Sequence, residues 1–483
     1  MTSVPLAPRQ APPPTRLRSL LFTLGPVWHR WRSGVRSAAA FAIPAGMLVA
    51  AGHSRYAMFA AFGAFAVMYG DGRPVRTRTG SVAAAGIGLL ACTGTGALLG
   101  KVMGGRAGDG VVTVVVLTVV AMAAVYGINA TRPGPPGALF FMMTCGGGMA
   151  AAKAGVAPAT IVGCAALGVT GAVVVTSISA GIDYARGDRM TGPRVPAVWR
   201  RLRRSWSARS HAVTTTLRVG IACAIAGGIA VSLHWLHPYW AMLTALVVLA
   251  QGPHRTGGRA RAIHRFAGTV AGLVFFAGLY QLSPSGYWLV ALVAGLMFAI
   301  ELFVGSNYAI AVFFITPTAL FAGGAGAGKG GAGPMIRDRF LETMIGVIVA
   351  VIALSVVAPR AHRRTLYSEQ QRMQTTAREL LAALHEPMNA RGRLLCDKLR
   401  FDLKGYENAG IDCAHDDARW MHSRWAAHAE LLHDGHTLLT AAEAVPMGVT
   451  AIAPEQEETH LPAETSASYI PRGIFGADDG GSQ

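Results

Sequence analysis

Apolar stretches alternate with short basic or polar stretches from residue 37 to residue 358 of the chain. A helix needs about 20 apolar residues to cross a hydrocarbon layer about 30 Å thick. The pattern therefore predicts an all-α polytopic membrane protein with about twelve transmembrane helices. The predicted helices are 37–52, 55–70, 79–100, 111–130, 137–153, 159–181, 213–234, 238–252, 264–282, 287–304, 307–323 and 339–358.

One sequence block occurs twice in this region. Residues 56–61 are Tyr-Ala-Met-Phe-Ala-Ala, and residues 240–245 are Trp-Ala-Met-Leu-Thr-Ala. In both places an arginine-rich segment and then a Gly/Ala-rich apolar stretch follow. Such internal duplication is typical of transporters. Because an even number of helices returns the chain to its starting side, the pattern predicts two parallel six-helix repeats.

Changes in composition divide the chain further. Proline and scattered arginine dominate the beginning, and mixed-charge helical patterns replace the apolar stretches after about residue 360. The predicted segments are a flexible cytoplasmic N-terminal tail (1–35), a first membrane repeat (36–181), a basic cytoplasmic linker (182–212), a second membrane repeat (213–359), a cytoplasmic helical domain (360–445) and a disordered tail (446–483).

The composition agrees with a membrane location. Hydrophobic residues make up 52% and charged residues 14% of the chain, whereas soluble domains carry about 25% charged residues. The net charge of +18 raises the alternative of nucleic-acid binding. The arginines, however, lie beside the predicted helices and mostly on one side, as the positive-inside rule describes. We therefore expect the lipid bilayer and no nucleic acid as partner, in the cell (inner) membrane, with both termini cytoplasmic.

Two segments superficially resemble cofactor or metal sites. Residues 323–330 are rich in glycine, but Gly330 stands where a phosphate-binding loop needs Ser or Thr after its lysine. The histidines between His415 and His436 contain no i, i+4 pair, which would place two imidazoles on one helical face. The six cysteines are scattered, and no catalytic motif is found. The sequence predicts no cofactor, no metal and no enzyme activity.

The duplicated block indicates where a transport site lies. The predicted helices 55–70 and 238–252 are shorter than a full crossing, and short segments at corresponding positions of two repeats indicate the binding site. We expect Tyr56, Tyr239 and Trp240 to stack on an aromatic substrate, and Arg78 and Arg265 to bind its carboxylate. The alternatives are an aromatic belt at the membrane interface and a topology signal, respectively.

Two acidic residues lie in or beside predicted helices. An ionised carboxylate in hydrocarbon costs at least about 2.5 kcal/mol, so it usually faces a cavity or a partner. Glu301 and Glu342 are therefore candidates for proton coupling. The alternatives are an interfacial position for Glu301, near the cytoplasmic end of its helix, and a helix-start pair of Glu342 with Arg339 or Arg337.

Several segments carry a family resemblance: 237–249, 261–272, 308–320 and 339–346. They resemble the membrane module of the fusaric acid resistance family of aromatic acid exporters, most clearly over residues 215–360, and plant malate channels have a similar general plan. The family pattern Arg-x-x-Gly-Thr is matched by Arg265 to Thr269, whereas the first half has no equally clean copy. The last helix of the family commonly starts Arg-x-x-Asp-Thr, and here the acid is Glu342.

The resemblance implies export of organic anions. The leading hypothesis is an inner-membrane transporter that exports organic anions, in particular aromatic carboxylates, with the proton gradient as a candidate energy source. One alternative is a passive organic-anion channel. Another is a membrane scaffold whose cytoplasmic helices recruit partners, and the same helices are a candidate surface for homo-oligomer formation.

Overall fold

The computed structural model describes residues 17–131, 136–187, 198–206, 210–235, 237–250, 255–324, 331–384 and 389–444. These residues form helices and connecting turns, with no β-strand among them. The chain divides into two compact units. The membrane unit comprises residues 15–192 and 211–359, and the second unit comprises residues 1–14, 193–210 and 360–483. Residues 1–16 of the predicted N-terminal tail and the whole predicted tail 446–483 lie outside the described residues.

The helices fall close to the predicted positions. In chain order they are α1 (Leu17–Phe22), α2 (Trp31–Ala50), α3 (Ala60–Ala64), α4 (Val75–Met103), α5 (Asp109–Thr131), α6 (Leu139–Lys153), α7 (Pro158–Ala185), α8 (Val198–Ser205), α9 (His211–Ser232), α10 (Tyr239–Leu249), α11 (Arg255–Gln281), α12 (Gly286–Phe303), α13 (Tyr308–Gly324), α14 (Ala332–Val356), α15 (Ala361–Ala383), α16 (Ala390–Asp416), α17 (Ala418–His422) and α18 (Trp425–Ala444).

Eight helices of the described chain are long and apolar enough to cross a membrane. They are α4, α5, α7, α9, α11, α12, α14, and α2 together with the turn before it (Trp28–Ala50). Two shorter apolar helices, Tyr239–Leu249 and Tyr308–Gly323, lie among them. The chain is therefore a multi-pass membrane protein, while the full number of about twelve crossings stays a prediction.

Several boundaries differ from the prediction, and α11 begins at Arg255 rather than at residue 264. Helices α1 and α2 occupy part of the predicted N-terminal tail, and α1 is held by Asn307, whose side chain donates to the carbonyl of Leu21 (3.3 Å). The predicted helix 55–70 is α3 flanked by 3-10 turns, Ser54–Phe59 and Phe65–Gly70. Helix α14 begins at Ala332 rather than at residue 339, because Pro334 in its first turn is compatible with a helix start.

The two halves of the membrane unit repeat one packing pattern. In the first half, α4 packs on α6 and α7, and α3 packs on α7. In the second half, α11 packs on α13 and α14, and α10 packs on α14. The first helix of each half packs across on the other half: α2 contacts α12, and α9 contacts α5. The helix pairs therefore correspond between the halves.

Helix α5 shows the surface that the unit offers to lipid. Val111, Val115 and Val119 follow one another at i, i+4 spacing and are 62%, 55% and 60% exposed. Such a continuous apolar stripe is stable in hydrocarbon and unfavourable in water. The stripe therefore contacts the bilayer.

Glycines let the short helical segment 54–70 approach α7. A Cβ atom added to Gly168 would collide with the carbonyl oxygen of Ala60, and one added to Gly63 would collide with that of Ala165. Small residues permit such backbone contact, which drives helix association where the hydrophobic effect is absent. The approach fixes the segment that lines the cavities described below.

We predict that Gly168→Ala lowers the melting temperature of the full-length protein in detergent, because the added methyl group meets backbone that cannot rotate away. The expected cost is about 1–3 kcal/mol. Gly163 lies on the same helix with no atom within 4 Å of an added Cβ, so Gly163→Ala is the matched control and should be neutral or slightly stabilising. Equal melting temperatures for both variants would contradict the close packing.

The second unit has its own core, built by α15, α16, α17 and α18. Met373, Leu380, Leu399 and Met421 are fully buried there. The side chain of Asn389 accepts a hydrogen bond from the amide of Gly392 (3.0 Å) and so caps the start of α16. The helical nature of this C-terminal region agrees with the prediction, and its cytoplasmic location stays a prediction.

A buried histidine lies in this core. The ring of His428 is 4.3 Å from the ring of Tyr406 and 5.1 Å from that of Trp425, measured between centroids. Neither ring nitrogen has a hydrogen-bond partner in the described part of the chain. Burial, partly opposed by the charge of Glu407, lowers the pKa of His428 from 6.5 to about 4. The core therefore accommodates the neutral imidazole.

We expect acid to destabilise this core. In the unfolded chain His428 binds a proton below a pKa of 6.5. In the folded core it stays neutral down to about pH 4. The free energy of unfolding should therefore fall across this window, by up to about 3 kcal/mol. Hydrogen exchange of the α18 amides in the full-length protein measures this loss. His428→Leu should flatten the pH dependence and the exposed His422→Leu should retain it; the same slope in both would refute the assignment.

Candidate functional site

Three cavities follow one another through the membrane unit. We call them the first cavity, of about 220 Å³, the narrow cavity, of about 40 Å³, and the wide cavity, of about 650 Å³. The first and narrow cavities share Phe140 and Ile300 in their walls. The narrow and wide cavities share Tyr239, Trp240 and Arg339. Since each cavity shares walls with the next, the three form one row.

Aromatic side chains constrict the row at the narrow cavity. Phe62, Phe65 and Phe140 line it, and the rings of Phe65 and Phe140 stack with centroids 4.3 Å apart. By the same volume measure a water molecule needs about 10–15 Å³, so the space holds roughly three waters and excludes an organic acid. The structure is therefore closed at the middle of the row.

Two arginines lie at this constriction. Arg265 on α11 and Arg339 on α14 are each 1% exposed, and both line the narrow cavity. Nε and Nη1 of Arg265 and all three side-chain nitrogens of Arg339 lack a hydrogen-bond partner among the described residues. Within the same residues no carboxylate forms a salt bridge with either guanidinium. These five nitrogens are therefore buried without a hydrogen-bond partner in the closed structure.

An aromatic ring holds Arg339 in place. Its guanidinium carbon lies 3.6 Å from the centroid of the Trp240 ring, and the Tyr239 ring lies 4.8 Å from that of Trp240. A cation–π contact at a desolvated site contributes about 2 kcal/mol. The ring provides attraction but no negative charge, so the site stays electropositive.

Glycines bring the two arginine-bearing helices into position. Two turns past Arg265, a Cβ on Gly272 would lie 2.7 Å from the carbonyl oxygen of Phe313, so α11 packs directly on α13. A Cβ on Gly346 would lie 2.5 Å from the carbonyl oxygen of Ala241, so α14 packs directly on α10. These contacts set Arg265 beside α13 and set Arg339 over the ring of Trp240 on α10.

Further arginine charge lines the first cavity. Arg261 lies one helical turn before Arg265 on α11, with its guanidinium carbon 5.2 Å from the centroid of the Tyr308 ring. Residues four apart share one helix face. Arg261, Arg265 and Arg339 therefore place positive charge along the whole row, from the first cavity to the wide one.

Glu342 lies beside this charge in the wall of the wide cavity. It is 2% exposed and lies ten residues inside α14, which begins at Ala332. Glu342 therefore does not lie in the first turn of its helix, because α14 begins seven residues before the predicted start at residue 339. A position of Glu342 at the membrane interface stays a prediction. Within the described residues Glu342 forms no salt bridge with Arg339, although the two charges interact.

Glu301 belongs to an ionic cluster at the first cavity. Nη2 of Arg30 donates to Glu301 Oε2 (2.8 Å) and to Asp71 Oδ2 (2.5 Å), and its Nε donates to the Glu301 carbonyl (2.9 Å). Asp71 also accepts from Arg36 (2.7 Å) and Ser33. The cluster ties the start of α2 to the end of α12.

The remaining predicted site residues lie outside the row. Arg78 on α4 donates to Asp183 Oδ2 on α7 (2.6 Å), so a carboxylate of the protein already binds it. Tyr56 lies in the 3-10 turn before α3, with the guanidinium of Arg55 4.4 Å from its ring centroid, and it lines none of the three cavities. The structure brings together Tyr239, Trp240, Arg265, Glu301 and Glu342 along the row.

Sequence reasoning did not select Arg261 and Arg339 as site residues, and it named Arg339 only as a pairing partner of Glu342. Their signals were present: Arg261 stands at i, i+4 spacing from Arg265, and Arg339 is three residues before the singled-out Glu342. No group of three or more His, Cys, Asp or Glu side chains in the described residues is placed to hold a metal ion. The site therefore consists of arginines, aromatic rings and single carboxylates.

The buried arginines and their aromatic partner all lie on helices of the second half. Residues 223–353 match the family model described as fusaric acid resistance protein-like. The resemblance found in the sequence is thereby confirmed. This fusaric acid resistance-like segment contains Tyr239, Trp240, Arg265, Arg339 and Glu342, so the match covers the two arginines at the constriction.

Over 256 residues, the chain is 26% identical to the uncharacterized membrane protein YvaC of Bacillus subtilis (strain 168). The alignment covers 51% of this chain and 39% of that protein, so the chain spans less than half the length of this relative. No solved structure matches the chain. These likenesses agree with a membrane transport-type protein.

Proposed function

We propose that the protein transports organic anions, in particular aromatic carboxylates, across the inner membrane. The observation that carries this proposal is the pair of buried arginines, free of salt bridges within the described residues, at the narrowest point of a row of cavities. A buried charge without a counter-ion costs several kcal/mol. A bound anion would remove that cost, so the arrangement favours an anionic ligand.

The walls of the row suit both the carboxylate and the aromatic ring of such a ligand. A guanidinium presents a planar fork of N–H donors that matches a carboxylate. Phe62, Phe65 and Phe140, beside the guanidinium of Arg265, offer ring faces and edges to an aromatic body. A carboxylate could move from Arg261 to Arg265 and on to Arg339 and would stay close to a positively charged side chain throughout. The narrow cavity has to widen for this passage.

The corresponding helix packing supports two six-helix repeats. The short segment 54–70 of the first half and α10 of the second meet at the narrow cavity, as expected of a site between repeats. We assign about twelve crossings to the unit, with both termini on the cytoplasmic side that the arginines mark. The C-terminal helices are then a cytoplasmic candidate surface for homo-oligomer formation.

We further propose that Glu342 couples transport to protons. Its carboxylate interacts with the charge of Arg339 and lines the wide cavity, so it competes with an anion for that guanidinium when ionised. Protonation of Glu342 would remove its negative charge, so that the guanidinium of Arg339 could bind the carboxylate of the substrate. Glu301 is already bound by Arg30, and we assign it to holding the first cavity closed.

Uptake into proteoliposomes tests the anion site. We expect Arg265→Gln and Arg339→Gln each to lower transport of radiolabelled benzoate at least about tenfold, because a charge-assisted hydrogen-bonded pair is worth roughly 1.5–3 kcal/mol. The exposed Arg106→Gln removes an equal charge away from the cavities and should transport normally. Full activity of folded Arg265→Gln and Arg339→Gln proteins would overturn the proposed site.

The same vesicles test the proton coupling. With an imposed proton gradient, wild-type accumulation of benzoate should exceed that at equal pH, whereas Glu342→Gln should transport at a rate independent of the gradient. Asp338→Asn, which removes a carboxylate of the same cavity wall, is the matched control. Gradient-independent but voltage-dependent flux in the wild type would instead identify a passive anion channel.

A further inference from the structure

A short amphipathic helix lies in the linker between the two membrane halves. Helix α8 has the sequence Val-Trp-Arg-Arg-Leu-Arg-Arg-Ser, so four of its eight residues are arginine. With 3.6 residues per turn, its apolar residues share one face. They are Val198, Trp199, Leu202 and, directly after the helix, Trp206. The arginine positions fall outside this face, so the helix has an apolar side and a basic side.

The large apolar side chains of this helix are exposed. Trp199 is 71%, Trp206 is 77% and Val198 is 53% exposed. Tryptophan is highly buried on average in folded proteins. Two open indole rings next to arginines are instead typical of a segment at a membrane–water interface, where the rings lie at headgroup depth. The apolar side of α8 therefore fits the boundary between headgroups and acyl chains.

The charge of the linker selects the kind of lipid. Residues 186–209 contain eight arginines and one aspartate. On α8 itself, Arg200 and Arg203 are exposed, and within the described residues no carboxylate forms an ion pair with either. Each arginine near a negatively charged bilayer surface raises binding about fivefold. The basic side of α8 is therefore complementary to acidic phospholipid headgroups.

The chain keeps α8 close to the bilayer. Its neighbours in the sequence, α7 and α9, are both long and apolar enough to cross a membrane. The six residues from Ser205 to His211, where α9 begins, reach at most about 20 Å when fully extended. The hydroxyl of Ser210 also donates to the carbonyl of Ser205 (2.7 Å), which folds this connection back. The end of α8 is thus within reach of the headgroups around the start of α9.

We propose that α8 binds the headgroups of acidic phospholipids, with its two tryptophans inserted at the boundary of the acyl chains. This inference goes beyond the proposed function and is independent of which anion the protein transports. An isolated helix of eight residues is marginal in water, because its nucleus costs more than its few hydrogen bonds return. An acidic bilayer therefore stabilises α8, whereas a neutral bilayer leaves it frayed.

Hydrogen exchange of the full-length protein in lipid nanodiscs tests this binding. The amides of residues 202–205 are the ones that hydrogen bonds within α8 can protect, since the first four amides of a helix have no partner inside it. In nanodiscs of phosphatidylglycerol mixed with phosphatidylcholine, these amides should exchange at least about tenfold more slowly than in phosphatidylcholine alone. High salt should reduce the difference, because it screens the charges.

Variants with equal changes in charge separate the helix from the net charge of the protein. Arg200→Gln combined with Arg203→Gln should remove most of the protection by phosphatidylglycerol. Arg391→Gln combined with Arg419→Gln is the matched control, because it removes the same charge from exposed positions of the second unit outside α8. This control should retain the full protection.

The apolar side has its own test. Trp199→Ser combined with Trp206→Ser keeps every arginine and should still lose most of the protection, because the rings no longer anchor the helix at the interface.

Two outcomes would overturn the lipid site: equal exchange of the α8 amides in acidic and neutral nanodiscs, or equal loss of protection in the α8 arginine variant and in its control. Slower exchange on addition of duplex DNA to neutral nanodiscs, without any effect of phosphatidylglycerol, would also overturn it and would identify a nucleic-acid surface instead. Because none of these measurements uses transport, failure of the proposed function would leave the lipid site intact.

Discussion

A guanidinium removed from water loses hydration worth several kcal/mol unless a counter-charge or an aromatic ring compensates the loss. In the membrane unit the compensation for Arg339 is the face of Trp240, 3.6 Å away, and part of the charge of Glu342. Arg265 has neither a stacked ring nor a salt bridge among the described residues. The functional interpretation of the cavities, of their aromatic walls and of their size depends on this incomplete compensation.

The two halves contribute unequally to the site although their helices pack alike. In the second half, α11 and α14 carry Arg265, Arg339 and Glu342 into the row. In the first half, α7 has Gly168 in backbone contact with the segment 54–70, which presents only apolar and aromatic side chains to the narrow cavity. At the narrow cavity the second half therefore supplies the charged side chains and the first half supplies a close-packed apolar wall. Both halves enclose the site, but only the second half carries Arg265, Arg339 and Glu342.

The sequence predicted the helices well because a span is a local property: a run of apolar residues of sufficient length. It predicted Tyr239, Trp240 and Arg265 at the cavities because they belong to a short duplicated helix and a recognisable motif. It could not place Arg78, whose partner Asp183 is 105 residues away, since such pairing depends on how α4 meets α7. It named Arg339 only as a pairing partner of Glu342 and not as a site residue, because the Gly-rich stretch before it resembles a loop, although Pro334 in the first turn is a helix-start signal.

The crossed packing of the first helices has a consequence for how the protein is made. Helix α2 contacts α12, and Arg30 at its start binds Glu301 at the end of α12, 271 residues later in the chain. Ribosomes synthesise the chain from the N-terminus, so α2 enters the bilayer long before its partner exists. Until then its arginines are best accommodated among lipid headgroups, and the first half has an unfilled groove. Completion of the bundle therefore waits for the second half, so the decisive assembly step follows the synthesis of most of the membrane unit.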